Sequence, residues 1–156
     1  MNNEEISCFD AACNKAEKAA IRLIARAEQN SLGLTAKLER RGFQSIVVKE
    51  VVSRLLDQNL LNDARYAELW IRSRLSGVKK LSPLWLLSSL AKKGIDKKSS
   101  QKALEKVLDL ETEYALLINY MEKSGFPKIG TAYTRRAQLK KEGFSYDVLD
   151  KYYSAQ

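Results

Sequence analysis

Ten Lys and Arg side chains stand between residues 71 and 106: Arg72, Arg74, Lys79, Lys80, Lys92, Lys93, Lys97, Lys98, Lys102 and Lys106. Only two acids, Asp96 and Glu105, share that stretch. Residues 1–70 hold 10 cations and 10 anions and residues 107–156 hold 7 and 7, so this one segment carries the whole formal net charge of +8. Cations at that density suit the neutralisation of phosphates in a polyanion, or contact with an acidic protein surface. A second cluster, Arg135, Arg136, Lys140 and Lys141, has the i, i+4 and i, i+5 spacing that places side chains along one side of a helix, with the local acids elsewhere. Tyr133, Tyr146, Tyr152 and Tyr153 surround it, and aromatic rings among cations are a usual feature of single-stranded nucleic-acid contact. The competing reading is that lysines near helix C-termini offset the dipole and that the tyrosines fill a small terminal core with their hydroxyls in water.

Catalytic constellations are absent from the sequence, which points away from an enzyme. The chain has no histidine for acid–base work near neutral pH, no glycine-rich phosphate loop, no Gly-x-Ser-x-Gly elbow and no cysteine pair at redox spacing. Cys8 and Cys13 cannot build a tetrahedral zinc site without further ligands, so neither metal nor cofactor is expected. The first residues lack a basic segment followed by an apolar one, and no run approaches the ~18 apolar residues of a membrane span. A cytoplasmic, reduced monomer is the expectation.

The cations must be positioned by helices. Leu38-Glu-Arg-Arg-Gly42-Phe43, Leu90-Ala-Lys-Lys-Gly94-Ile95 and Leu139-Lys-Lys-Glu-Gly143-Phe144 repeat one motif, with glycines 52 and 49 positions apart. Each follows an apolar-periodic run ending in basic residues, which is how a helix closes on a left-handed residue. Gln44, Asp96 and Ser145 follow two positions later, and the last two are good N-caps for a second helix. A third amphipathic helix precedes each pair. Nine helices are expected, near 15–28, 31–41, 45–57, 63–75, 83–93, 97–109, 111–123, 131–142 and 146–154. The fold class is therefore all-α, a tandem repeat of three three-helix units forming an elongated, curved molecule. Its parts are a flexible lead-in over 1–14, unit 1 over 15–60, the basic unit 2 over 61–110 and unit 3 over 111–156. The expected core is Leu23, Leu38, Val51 and Leu55, then Ala67, Trp70, Ile71, Leu86, Leu90, Leu104 and Leu108, then Leu117, Leu139, Val148 and Leu149. Leu84-Trp85-Leu86-Leu87 spans more than half a helix circumference, so with Leu86 and Leu90 inward Trp85 and Leu87 are expected to face a neighbouring unit or solvent, an inter-unit contact being favoured over a partner-binding anchor.

Leu60-Leu61-Asn62-Asp63-Ala64-Arg65-Tyr66-Ala67, running into an amphipathic helix that ends at Arg72-Ser73-Arg74, resembles a signature of the RecX regulators of the bacterial RecA recombinase. Asp63, Arg65, Tyr66 and Ala67 carry that match. The stretch from Ala27-Glu28-Gln29-Asn30-Ser31 through Lys37-Leu38 and Arg41-Gly42-Phe43 is similar to the same family, with Ala27, Gln29, Asn30 and Gly33 standing where relatives usually have Arg, His, Ser and Glu. The resemblance covers about residues 18–154. It implies a modular helical protein, without membrane attachment, that binds the RecA–single-stranded DNA filament. It further implies restraint of recombinase, ATPase and co-protease activity in DNA repair and the SOS response. The residues alone also fit a stand-alone nucleic-acid-binding protein of tandem helical modules, or a helical protein-binding adaptor.

Overall fold

A computed structural model describes residues 3–77, 80–126 and 130–155. Among the described residues there are nine α-helices and no strand: α1 Asn3–Arg26, α2 Ser31–Arg40, α3 Ser45–Asp57, α4 Asp63–Leu75, α5 Pro83–Lys92, α6 Lys97–Val107, α7 Leu110–Ser124, α8 Ala132–Lys141 and α9 Tyr146–Ser154. They group into two compact units, Met1–Tyr66 and Ala67–Gln156, with the division falling inside α4.

The three Leu-x-x-x-Gly motifs are one turn built three times. Gly42, Gly94 and Gly143 adopt φ of +89°, +80° and +91°, which glycine reaches without a Cβ clash. The amide after each glycine reaches back to the leucine carbonyl, Phe43 to Leu38 at 3.3 Å, Ile95 to Leu90 at 3.1 Å and Phe144 to Leu139 at 3.3 Å. The glycine amides themselves donate to Glu39, Ala91 and Lys140 at 2.9, 2.9 and 3.0 Å. Carbonyls that a helix end would leave without partners are satisfied in this way. Leu38, Leu90 and Leu139 are all fully buried, so each leucine serves both as hydrogen-bond anchor and as core side chain. The residue after the glycine packs inward too: Ile95 and Phe144 are buried and Phe43 is partly so. The next helix starts at once, with Asp96 accepting from the Ser99 amide at 2.9 Å and Ser145 from the Val148 amide at 3.3 Å. Gln44 makes no such side-chain bond.

In the first unit α1, α2 and α3 close around Cys13, Ala16, Ala20, Leu34, Leu38, Val48, Val51 and Leu55. The expected lead-in over 1–14 needs correcting, because α1 begins at Asn3 and not near residue 15. Its physical basis is an acidic first turn, Glu4 and Glu5, at the positive helix end, followed by Phe9, Ala12, Cys13, Ala16 and Ala20 at helical spacing facing the core. Burial pushes the Cys13 thiol above its ordinary pKa, although nearby Arg54 opposes the shift.

In the second unit Ala67, Trp70, Ile71, Leu86, Leu90, Leu104, Leu117, Leu139, Phe144, Val148 and Leu149 are buried together with Ile95, Val107 and Tyr120. Leu23 in the first unit and Leu108 in the second, both expected inside, are only partly covered. The turn after α8 seats on the start of α5: the Leu84 amide donates to the Glu142 carbonyl at 2.9 Å and the Ser82 hydroxyl to its carboxylate at 2.9 Å. Glu113 on α7 takes the Ser145 amide and hydroxyl, both at 2.7 Å, and so fixes the start of α9.

Candidate nucleic-acid and partner interface

The signature residues hold the local fold together. Asn62 caps α4 by accepting from the Arg65 amide at 2.9 Å. Asp63 then accepts the Ser31 amide at 2.7 Å and the Ser31 hydroxyl at 2.5 Å, tying the start of α4 to the start of α2. Arg65 forms a 2.8 Å ion pair with Glu28 and donates to the carbonyls of Leu60 at 3.1 Å and Asn59 at 3.3 Å. Tyr66 is half-buried and Ala67 fully buried. The substituted positions nearby join the same stitching: Gln29 donates to the Ala27 carbonyl at 2.9 Å and accepts from Lys37 at 2.6 Å, while Asn30 caps α2 through the Gly33 amide at 2.7 Å.

Of the basic residues of the second unit, Lys106 is paired with Glu68 at 2.8 Å, and two further sets stand out. Arg72, Lys92, Lys97 and Lys98 are exposed, and among the described residues none of them makes an ion pair. Lys97 and Lys98 occupy the first turn of α6, where the positive end of the helix dipole disfavours cations. Helix stability therefore does not account for them. Lys92 and Lys93 lie on the other side of the Gly94 turn, so the turn brings four cations close in sequence onto adjoining helix ends.

The other group lies against aromatic rings. The Arg74 guanidinium is 5.1 Å and the Lys93 ammonium 5.7 Å from the centroid of Trp70, and Lys80, which is exposed, is 5.5 Å from that of Tyr120. Lys79 lies outside the described residues. Burial, helped by the neighbouring Glu142 carboxylate, raises the Tyr120 hydroxyl above its ordinary pKa, so this phenol is neutral near pH 7.

Trp85 faces solvent, one of the two expected outcomes, and not the favoured neighbouring unit. It stacks on Trp70 of its own repeat, with centroids 6.0 Å apart and planes 19° apart, and it keeps 44% of its surface exposed. Leu86 is the inward member of that run, and Leu84 is also exposed. Sequence spacing gives no sign of the stack, since the two indoles come from different helices and meet only in the packed unit.

The cluster around α8 is less free than its spacing suggests. Arg136 pairs with Asp150 of α9, so an acid does lie beside it. Lys140 sits 3.8 Å over the Tyr146 ring, Arg135 is half-buried and Lys141 is exposed. Tyr133 is 82% exposed, whereas Tyr152 and Tyr153 pack edge to face at 5.1 Å. The Tyr153 hydroxyl is buried and not in water, so the terminal-core reading fits this pair by its packing and not by that hydroxyl. No described helix is long and apolar enough to cross a membrane, and no described group of acids and cysteines is arranged to hold a metal.

The chain is similar to known proteins over most of its length. The family model for the second three-helix domain of RecX matches residues 62–104. Regulatory protein RecX of Treponema pallidum (strain Nichols) is 34% identical over 116 residues, covering 74% of this chain and 70% of that relative. Regulatory protein RecX of Halorhodospira halophila is 30% identical over 142 residues, covering 88% and 85%. The crystal structure of RecX from Lactobacillus salivarius shares the fold with a TM-score of 0.65 at 23% identity, covering 91% of this chain and 94% of that one.

Proposed function

The chain belongs to the RecX family of regulatory proteins, and from that premise we propose that it binds the RecA–single-stranded DNA filament and restrains its recombinase, ATPase and co-protease activities in DNA repair and the SOS response. It acts as a cytoplasmic monomer without catalysis of its own. Its three helix trios, α1–α3, α4–α6 and α7–α9, divide the contacts, and the basic middle trio meets DNA phosphate or acidic recombinase surface. The observation that carries this reading is the set of exposed cations Lys92, Lys97 and Lys98, unpaired among the described residues and in part set against the helix dipole. Modest contacts made by several repeats to one filament add up through effective concentration, which favours a filament over a short isolated strand.

The test compares full-length protein on RecA filaments with the same protein on bare single-stranded DNA. Tighter binding to the filament, with lowered DNA-dependent ATP hydrolysis at less than one protein per recombinase, is the expected result. Equal affinity for both and no effect on hydrolysis would leave a stand-alone nucleic-acid-binding protein.

A further inference from the structure

The exposed indole of Trp85 is the feature of the second unit that its packing leaves unexplained. A tryptophan on a helix surface normally lays its ring against the body of the protein, yet Trp85 leaves 44% of its surface in solvent while turned toward Trp70. Trp70 beneath it is 9% exposed, so the outer ring is backed by a fixed one. The surroundings are cationic: Arg74 and Lys93 lie within 5.1 and 5.7 Å of the Trp70 centroid, and exposed Lys92 is the neighbour of Lys93 in the chain. Among the described residues no acid forms an ion pair with any of these three.

We infer that Trp85 is a stacking seat for one unpaired nucleobase, with Arg74, Lys92 and Lys93 holding the phosphates on either side of it. The chemistry favours a single strand over a protein partner. Every base offers a π-face to a flat indole, and the flanking phosphates need the positive charge supplied here. A protein hot spot of the same kind seats an aromatic residue in a desolvated apolar surround, whereas the ring on which this one stacks has Arg74 and Lys93 within 5.1 and 5.7 Å of its centroid and exposed Lys92 next in the chain. In a duplex the bases are already stacked on one another, so this seat selects unpaired strands. The inference rests on the nucleic-acid part of the proposed function and assigns it a residue.

The experiment uses full-length protein and a short oligothymidylate, with an abasic oligomer of equal length that keeps the phosphates. The chain has two tryptophans, so Trp70→Phe leaves Trp85 as the only indole emitter. Oligothymidylate should quench that emission, and the abasic strand should not. Trp85→Ala should weaken oligothymidylate binding about fivefold or more, while Trp85→Phe restores most of the loss. The abasic strand should bind wild type and Trp85→Ala alike. Circular dichroism on each variant separates loss of the seat from loss of fold, and if the alanine variant unfolds, quenching of the Trp85 emission by oligothymidylate but not by the abasic strand decides the matter. Wild-type affinity for oligothymidylate in Trp85→Ala, combined with weaker filament binding, would overturn the inference and make the ring a protein contact. Full-length protein that inhibits the recombinase but binds no oligothymidylate would overturn it as well, leaving filament regulation intact. If lysine substitutions weaken DNA binding while Trp85→Ala does not, the seat alone fails.

Discussion

The same glycine turn closes α2 in the first unit and α8 in the second, but its surroundings differ. A Cβ added at Gly42 would meet nothing within 4 Å, whereas one added at Gly143 would stand 3.0 Å from the Leu84 amide nitrogen and 3.2 Å from the Pro83 Cβ. In the first unit the turn only ends a helix. In the second it also joins α8 to α5, and the missing side chain is what allows the Leu84 amide to reach the Glu142 carbonyl. Charge follows a parallel division. Residues 1–70 balance ten cations with ten anions, while ten cations share residues 71–106 with two, and among these Lys92, Lys97 and Lys98 stand in solvent without an ion pair among the described residues. One local motif thus serves folding in both places, while the charge laid around it differs.

Alanine at the two glycines gives the largest test of that contrast. Gly42→Ala should cost about 1 kcal/mol, the strain of a left-handed alanine. Gly143→Ala adds overpacking against backbone to the same strain and should cost about 3 kcal/mol. Urea melts followed by circular dichroism measure both. For Gly143→Ala, tryptophan emission gives a second readout, because Trp70 and Trp85 both lie in the second unit. Equal costs would mean that the α8–α5 joint yields without resistance.

Next in size are the two carboxylate clamps. Asp63→Ala removes the acceptor for the Ser31 amide and hydroxyl, and Glu113→Ala the acceptor for those of Ser145. Each should lose about 2 kcal/mol, with Glu113 the larger because the carboxylate itself is buried. The same melts decide it, and a neutral Asp63→Ala would mean that the tie between the starts of α4 and α2 contributes nothing to stability.

Most of the helices are legible because local chemistry and tertiary demand agree at their ends. Leu90, Gly94 and Asp96, for example, specify a helix end, a left-handed turn and a new cap within seven residues, and the structure uses all three. The start of α1 escapes a reading of the sequence for a physical reason: its inward face is built from Ala12, Cys13, Ala16 and Ala20, small side chains that contribute little apolar signal although their spacing is helical. Of the candidate site, the cations can be counted in the sequence. Their partners cannot, since Arg136 with Asp150 and Trp70 with Trp85 join separate helices through packing alone.

A smaller effect should separate the two units by charge. Lys92, Lys97 and Lys98→Gln in the second unit is set against Lys15, Lys18 and Lys49→Gln in the first, and all six lysines lie outside the cores. The first triple should weaken binding to single-stranded DNA about tenfold at moderate salt and reduce the slope of log affinity against log salt by about 2, as expected for three lost phosphate contacts. The second should change neither quantity. Matching losses in the two triples would show that net charge, not placement, governs binding.

The smallest effect is a response to acid confined to the second unit. Hydrogen bonds from Ser99 hold the Asp96 carboxyl below its ordinary pKa, and those from Thr112 do the same for Asp109. A depressed folded pKa means that each cap contributes fully above the unfolded value, near 4, and loses its contribution as pH falls through the lower folded value. In the first unit α2 is capped by Asn30, which does not titrate. Hydrogen exchange between about pH 5 and pH 2, expressed as protection relative to the unstructured chain, should therefore show the Ser99 and Thr112 amides losing protection while the Gly33 amide, held by Asn30 at 2.7 Å, keeps it. Asp96→Asn keeps a good capping side chain without the titration, so the Ser99 amide should then hold its protection across the range. If all three amides lose protection together in the wild-type chain, acid is unfolding the helices globally and the caps are not the sensitive points.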